Sequence, residues 1–209
     1  MQSPPRADPP YVPIRRTAWP TRRSPRWVFA GLAVLAVAAV LVALVHKPSQ
    51  AERASDLRGF LSDMNSDIES CAGGVGESLT ALQGIENGSS NLVSDAIGVA
   101  TDGASNCSPA NSMEIDDLIS YQVTESLSSF NLGRVVTGLA TWADPDAINV
   151  QSDVAGVLQA RTPAAKNAAT AALQKALRTL DSERATVDAI IEHASTSLSA
   201  HVSPPHLPG

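Results

Sequence analysis

The chain has 209 residues, 44% of them hydrophobic and only 4% aromatic, and a net charge of −6 at pH 7. The charge is divided unevenly, because residues 1–26 carry a net +5 whereas residues 48–209 carry −12. An acidic segment of this size repels nucleic acid, so we expect no nucleic-acid partner. The acidic part has 162 residues, which is enough to bury a single hydrophobic core.

Residues 1–26 combine proline and arginine with no periodic apolar pattern. Such a segment cannot bury enough apolar surface to offset the chain entropy lost on folding. We therefore predict a disordered Arg/Pro-rich cytoplasmic tail. It is too short to contain a kinase or a DNA-binding domain, so an inward signal would need a partner protein.

Residues 27–46 contain 19 consecutive uncharged residues, from Trp27 to Val45. As a helix they would reach roughly 28 Å at about 1.5 Å per residue, close to the hydrocarbon thickness of a bilayer. The segment shows no polar face, which argues against a helix buried in a soluble core. It predicts a transmembrane signal anchor with the lipid bilayer as its partner. Since arginines precede it, the N-terminus is expected in the cytoplasm and the C-terminal domain outside the cytoplasmic membrane.

Cleavage during export is the alternative to an anchor. Ser49-Gln50-Ala51 has the small-x-small form that signal peptidase accepts. The apolar region of a signal peptide is usually about 7 to 15 residues long, however, which is shorter than the segment found here. The length favours the anchor, and a secreted protein cut near Ala51 stays as the alternative.

Residues 47–201 predict an extracytoplasmic α-helical bundle, because apolar residues recur there at spacings of three and four. Ser49 and Glu52 form a capping-box pattern that opens the first helix. Gly73-Gly74 is expected to end that helix, and residues 87–90, Asn-Gly-Ser-Ser, to form a turn after a second one.

A capping residue followed by proline marks the start of three further predicted helices. These starts are Ser108-Pro109, Asp144-Pro145 and Thr162-Pro163. The first of these helices is expected to bend near residues 131–133 and to continue to Trp142. No convincing strand is found, so the predicted fold class is all-α: one N-terminal transmembrane helix followed by the bundle.

From Pro163 to about Ala200 the chain predicts one long helix with a nearly heptad apolar series. The series is Ala169, Leu173, Ala176, Leu180, Val187, Ile191, Ala194 and Leu198. Glu183 and Arg184 interrupt it and several members are only alanine, which favours packing within the chain. A homo-oligomer formed through this helix is the alternative and is not favoured. Residues 202–209 are rich in proline and predict a disordered tail.

Cys71 and Cys107 are the only cysteines. Both lie in the part expected outside the membrane, where disulfides persist, so we predict one bridge between them. A disulfide needs Cα atoms within about 7 Å, whereas a straight helix over residues 75–105 would be roughly 45 Å long. The chain must therefore break between the cysteines, and residues 87–90 are the place that the sequence provides.

No catalytic, cofactor-binding or metal site is predicted. Residues 192–193, Glu-His, lack the second histidine of a zinc-protease motif, and His201 and His206 fall in or beside the predicted tail. Residues 63–67 imitate the start of a calcium loop, but Ile68 and Gly74 stand where that loop needs glycine and glutamate.

These patterns favour a non-enzymatic, single-pass membrane protein whose outer domain binds an unknown envelope protein or ligand. The excess of arginine over lysine is typical of high-GC bacterial genomes. The first alternative is the outer domain of a small-ligand sensor, which would need a cleft with converging polar groups and a signalling partner. The second is the secreted helical protein described above.

Overall fold

The first helix of the domain is longer than its sequence predicted. A computed structural model describes residues 47–88 and 92–208, and in it helix α1 runs without interruption over Gln50–Glu86. The capping box is confirmed: the Ser49 hydroxyl accepts a hydrogen bond from the Glu52 N–H, and the Ser49 N–H donates to the Glu52 carboxylate. The predicted end at Gly73-Gly74 is wrong.

The apolar stripe of α1 explains why the helix continues through its two glycines. Ile68, Cys71 and Val75 are buried on either side of the pair. Each glycine costs a helix about 1 kcal/mol relative to alanine, which is less than the roughly 1.5 to 3 kcal/mol from burying one large apolar side chain. Position 74 also has no room for a side chain, because a Cβ there would lie 2.8 Å from the Cα of Gly103.

Helix α1 ends where a break was predicted. The Asn87 N–H donates to the Gln83 carbonyl and the Gly88 N–H to the Ile85 carbonyl. Gly88 has a φ of +66°, in the left-handed region that glycine enters without steric cost. Helix α2, Val93–Asn106, then returns along the second half of α1.

The two cysteines close this hairpin. Their sulfur atoms lie 2.03 Å apart and their Cα atoms 4.6 Å apart, so the predicted pair is at disulfide distance. Cys71 lies in the middle of α1 and Cys107 directly follows α2. The chain therefore makes one long hairpin here, in place of the three shorter helices that were expected.

The middle of the domain is more broken than predicted. Its elements are α3 (Met113–Ser120), a 3₁₀ helix (Glu125–Phe130) and α4 (Leu132–Thr141). Helix α3 does not begin at Ser108-Pro109, because the N–H groups of residues 111 and 112 bond back to the Ser108 carbonyl in a turn. Ser112 caps the helix instead, accepting from the Ile115 N–H.

Helix α3 ends at Ser120 rather than continuing to the predicted bend. Tyr121 has extended backbone angles, and its ring packs edge-on against Phe60 of α1 with centroids 5.6 Å apart. The bend itself is confirmed at Asn131, whose φ of 58° is left-handed.

The structure differs at the other two predicted helix starts, Asp144-Pro145 and Thr162-Pro163. Asp144 has extended angles inside a kinked segment, Trp142–Ala147, that leads directly into α5 (Ile148–Gln159). Helix α6, Pro163–Leu198, begins as predicted, with the Thr162 hydroxyl accepting from the Ala165 N–H at 3.1 Å.

Helix α6 forms the predicted spine of the bundle. Its buried face packs against α4 and α5 of the same chain and contains Leu173, Leu180, Val187, Ile191, Ala194 and Leu198. The approach to α4 is close, because a Cβ on Gly138 would lie 2.8 Å from a methyl carbon of Val187.

The C-terminal segment is held against the bundle, whereas a disordered tail was predicted from residue 202. Leu207 is only 3% exposed, and its carbonyl accepts a hydrogen bond from Arg184 at 3.1 Å. The Ser195 hydroxyl bonds both the N–H and the carbonyl of Val202. Side chains of α6 thus form hydrogen bonds with backbone groups of this proline-rich segment, which has no regular structure to satisfy them.

Within residues 47–88 and 92–208 there is no strand, and none of the helices is both long and apolar enough to cross a membrane. The predicted tail, residues 1–26, and the predicted span, residues 27–46, lie outside the described residues.

Alanine substitution at the two adjacent glycines should change stability in opposite directions. A Cβ at Gly73 would meet nothing within 4 Å, so Gly73→Ala should stabilise the fold by up to about 1 kcal/mol through helix propensity. Gly74→Ala should destabilise it by about 1 to 3 kcal/mol, because backbone atoms must move apart. Thermal unfolding of the full chain, followed by circular dichroism, measures both. Equal effects would contradict the continuous helix.

Candidate functional site

An open groove of about 650 Å³ follows the exposed side of α1, and we call it the α1 groove. Residues of α1 form its floor and one wall: Ser62, Asn65, Ser66, Ile68, Glu69, Ala72, Gly73 and Gly76. His206 and Pro208 of the C-terminal segment form the other. The groove thus joins two parts of the chain that lie more than 120 residues apart in sequence.

The groove continues into the crease between α1 and α2. Gly73 lines both the groove and two further openings, of about 620 and 360 Å³, which also contact Glu77 and Val99. Asp102 and Gly103 of α2 line the deeper end. One continuous concave strip therefore runs from the middle of α1 towards its C-terminal half.

The C-terminal wall is fixed in position by contacts outside the groove. Leu207, between the two wall residues, is buried, and Arg184 of α6 donates to its carbonyl. Arg58 of α1 donates to the Ala200 carbonyl at 3.2 Å. These contacts hold His206 and Pro208 beside α1, so the groove belongs to the folded domain.

Glycine forms the floor of the groove. Cβ atoms built on Gly73 and Gly76 would meet no heavy atom within 4 Å, so neither glycine is needed for packing inside the domain. This contrasts with Gly74, whose missing Cβ lets α2 approach. A partner could therefore reach the α1 backbone at the floor.

Carboxylates dominate the edges of the groove and its crease. Glu69 and Glu77 on α1 and Asp102 on α2 line them, and His206 is the one basic side chain among the described lining residues. Glu69 and Glu77 are eight residues apart, which is roughly 12 Å along a helix. The strip consequently carries two exposed negative charges along α1 and a third on α2.

A second, smaller cleft of about 280 Å³ lies between α5 and α6. Polar side chains of both helices and of the kinked segment before α5 line it: Asp146, Asn149, Asp153, Lys175 and Thr179. One carboxylate oxygen of Asp146 is inaccessible and has no hydrogen-bond partner among the residues that the structure describes. Burial, and then the nearby charge of Glu183, raise the pKa of Asp146 above its ordinary value.

Two acids of residues 63–67 interact with other groups of the chain. The Asp63 carboxylate accepts a hydrogen bond from the Tyr121 hydroxyl at 3.1 Å, and burial followed by neighbouring carboxylates raises the pKa of Asp67. No group of three or more metal-ligating side chains occurs in the part of the chain that the structure describes. His193 lies at the edge of the Phe130 ring, with centroids 6.4 Å apart, and not in the groove.

Sequence reasoning missed the residues of the α1 groove. It took Gly73 as the end of a helix and placed His206 in a disordered tail. The available signal was the apolar stripe, which keeps its spacing from Ile68 through Cys71 to Val75. A helix that continues along this stripe puts Gly73 on its opposite, exposed side.

Comparison of the chain with protein-family models, with curated proteins and with solved structures gave no match.

Substituting Asp146 should give a pH-dependent change in stability. Because the folded pKa of Asp146 is raised, the folded state holds this proton more tightly than the unfolded chain does. That contribution is present below the unfolded value of 3.8 and is lost as the pH rises through the folded pKa. Asp146→Asn stays neutral, so it should raise the melting temperature at about pH 7 and change it little near pH 3.

Asp95→Asn on the exposed side of α2 provides the matched control for the Asp146 variant. If Asp146→Asn instead lowered the melting temperature at neutral pH, the charged form would be stabilised in the cleft, against this interpretation.

Proposed function

We propose that this protein is a single-pass, membrane-anchored binding module. Residues 27–46 anchor it in the cytoplasmic membrane with the N-terminus inside, and the helical bundle lies outside. The α1 groove binds a segment of another envelope protein, and the module itself performs no chemistry.

The shape and lining of the α1 groove support this proposal most directly. The groove is long and open and has a glycine floor, which suits an extended or helical segment better than an enclosed small molecule. Glu69 of the groove and Glu77 of the crease are eight residues apart, roughly 12 Å along α1, so their charges are spread along the strip.

The start of α1 supports an uncleaved anchor. A cut after Ala51 would remove Ser49, whose hydroxyl accepts from the Glu52 N–H and whose own N–H is bonded by the Glu52 carboxylate. Losing an N-cap costs about 0.5 to 2 kcal/mol. The candidate cleavage site lies within the first turn of the helix.

A small-ligand sensor is the second candidate function, favoured by the cleft between α5 and α6. The unpartnered oxygen of Asp146 and the carboxylate of Asp153 would suit an organic cation there. This candidate comes second because the cleft is smaller than typical ligand pockets, which are about 300 to 1,000 Å³. Two of its lining residues, Asn149 and Lys175, are also exposed.

Photo-crosslinking tests the proposed function. A photoreactive amino acid placed at residue 73 of the full chain, in its own cells, should form an adduct with one envelope protein. The same amino acid at Gly59 should not, because Gly59 is also an exposed glycine of α1 with open space around it but lies outside the groove. Mass spectrometry of the adduct identifies the partner segment and should find residues before Ala51 still attached.

Two results would contradict the proposal. An identical set of adducts from residues 59 and 73 would mean that the groove has no partner. A mature N-terminus at Glu52 would show that the protein is released and not anchored.

A further inference from the structure

We propose that the segment bound in the α1 groove is cationic: it places small side chains on the glycine floor and lysine or arginine beside the acidic edges. This inference rests on the proposed function and specifies the chemistry of the partner.

The floor limits the size of the side chains that the partner places there. With no Cβ on Gly73 or Gly76, and no neighbouring atom within 4 Å of where one would be, a partner backbone can come closer than the usual 8 to 10 Å between helix axes. Large partner side chains would hold the two backbones apart and leave the floor empty. Alanine, serine or glycine allows contact along the whole strip.

The edges set the charge of the partner. Glu69 and Glu77 stand on the exposed side of α1, Asp102 lines the crease, and no lysine or arginine lines the described groove or crease to neutralise them. A cationic partner gains attraction from these carboxylates and is steered towards them, whereas an acidic partner is repelled.

The same charges argue against a second copy of this chain as the occupant. Two copies joined face to face through their grooves would bring Glu69 and Glu77 of one copy near the equivalent carboxylates of the other. Juxtaposed like charges cost an interface several kcal/mol. An anionic lipid headgroup is disfavoured for the same reason.

Binding of two designed peptides to the full chain tests this inference. The chain is reconstituted in nanodiscs of zwitterionic phosphatidylcholine, so that the peptides find no anionic lipid. The first probe is an alanine-based helical peptide with neutral ends, whose two lysines stand eight residues apart, as Glu69 and Glu77 do. The second has glutamate in place of both lysines. Calorimetry should give a dissociation constant at least about tenfold lower for the lysine peptide.

Two sets of variants separate binding in the groove from general attraction to an acidic protein. Gly73→Leu fills the groove and changes no charge, so it should raise the dissociation constant of the lysine peptide by about tenfold. Gly59→Leu should leave that dissociation constant unchanged. The double variant Glu69→Gln/Glu77→Gln should weaken binding similarly, and Glu125→Gln/Glu192→Gln should have little effect. Melting temperatures of all variants confirm that each one is folded.

Equal binding of the two peptides, or affinity for the lysine peptide that survives Gly73→Leu, would overturn the inference. The crosslinking experiment separates its failure from failure of the proposed function. An acidic partner segment attached at residue 73 would refute the cationic partner and leave the binding module intact.

Discussion

The contact between α1 and α2 at Gly74 and Gly103 is the constraint on which the arrangement of the domain depends. A Cβ on either glycine would meet backbone of the other helix, at 2.8 Å from the Gly103 Cα or 3.0 Å from the Gly74 carbonyl oxygen. The Cys71–Cys107 bridge lies one turn away and fixes the same crossing covalently. In the chain-entropy model a bridge enclosing this many residues stabilises a fold by about 3 to 4 kcal/mol.

Helix α5 joins the bundle at the same point. Gln151 is fully buried, and its amide nitrogen lies 3.6 Å from the sulfur of Cys107, a weak acceptor. A Cβ on Gly103 would lie 3.1 Å from the Gln151 side-chain oxygen. The hairpin, the bridge and α5 therefore depend on the same small volume, so a larger residue at position 103 would disturb all three.

The exposed side of α1 follows from this crossing. Once Gly74 faces inward against α2, the helical repeat turns Gly73 and Gly76 towards the opposite side, where nothing in the domain covers them. The C-terminal segment then borders this side without covering it, since Leu207 is buried next to α6 and only its neighbours His206 and Pro208 reach the groove. The candidate site is thus a consequence of how the hairpin is closed. Its acidic edges favour a cationic partner.

The sequence predicted those features that depend on local chemistry. The caps at Ser49 and Thr162, the break after Glu86 and the pairing of the cysteines each follow from a few neighbouring residues or from the reach of the chain. Two of its errors came from local signals that the folded chain overrides. Gly73-Gly74 was expected to end a helix, but packing continues α1 through both glycines. Pro109 was expected to begin a helix, but it lies in a turn after Ser108. The groove could not be predicted, because His206 and Gly73 meet only in the folded chain.

Hydrogen exchange of the α1 amides, measured on the full chain with the bridge intact, tests the central claim most directly. If α1 is one continuous helix fixed by α2 at its middle, the amides of residues 72–78 should exchange as slowly as those of residues 60–68, because both sets are hydrogen-bonded in the interior of one helix. Reduction of the bridge should speed exchange in α2 first and leave residues 60–68 protected. Rapid exchange at residues 72–78 in the oxidised protein would show that α1 breaks at its glycines, and would contradict both the closed hairpin and the groove that follows from it.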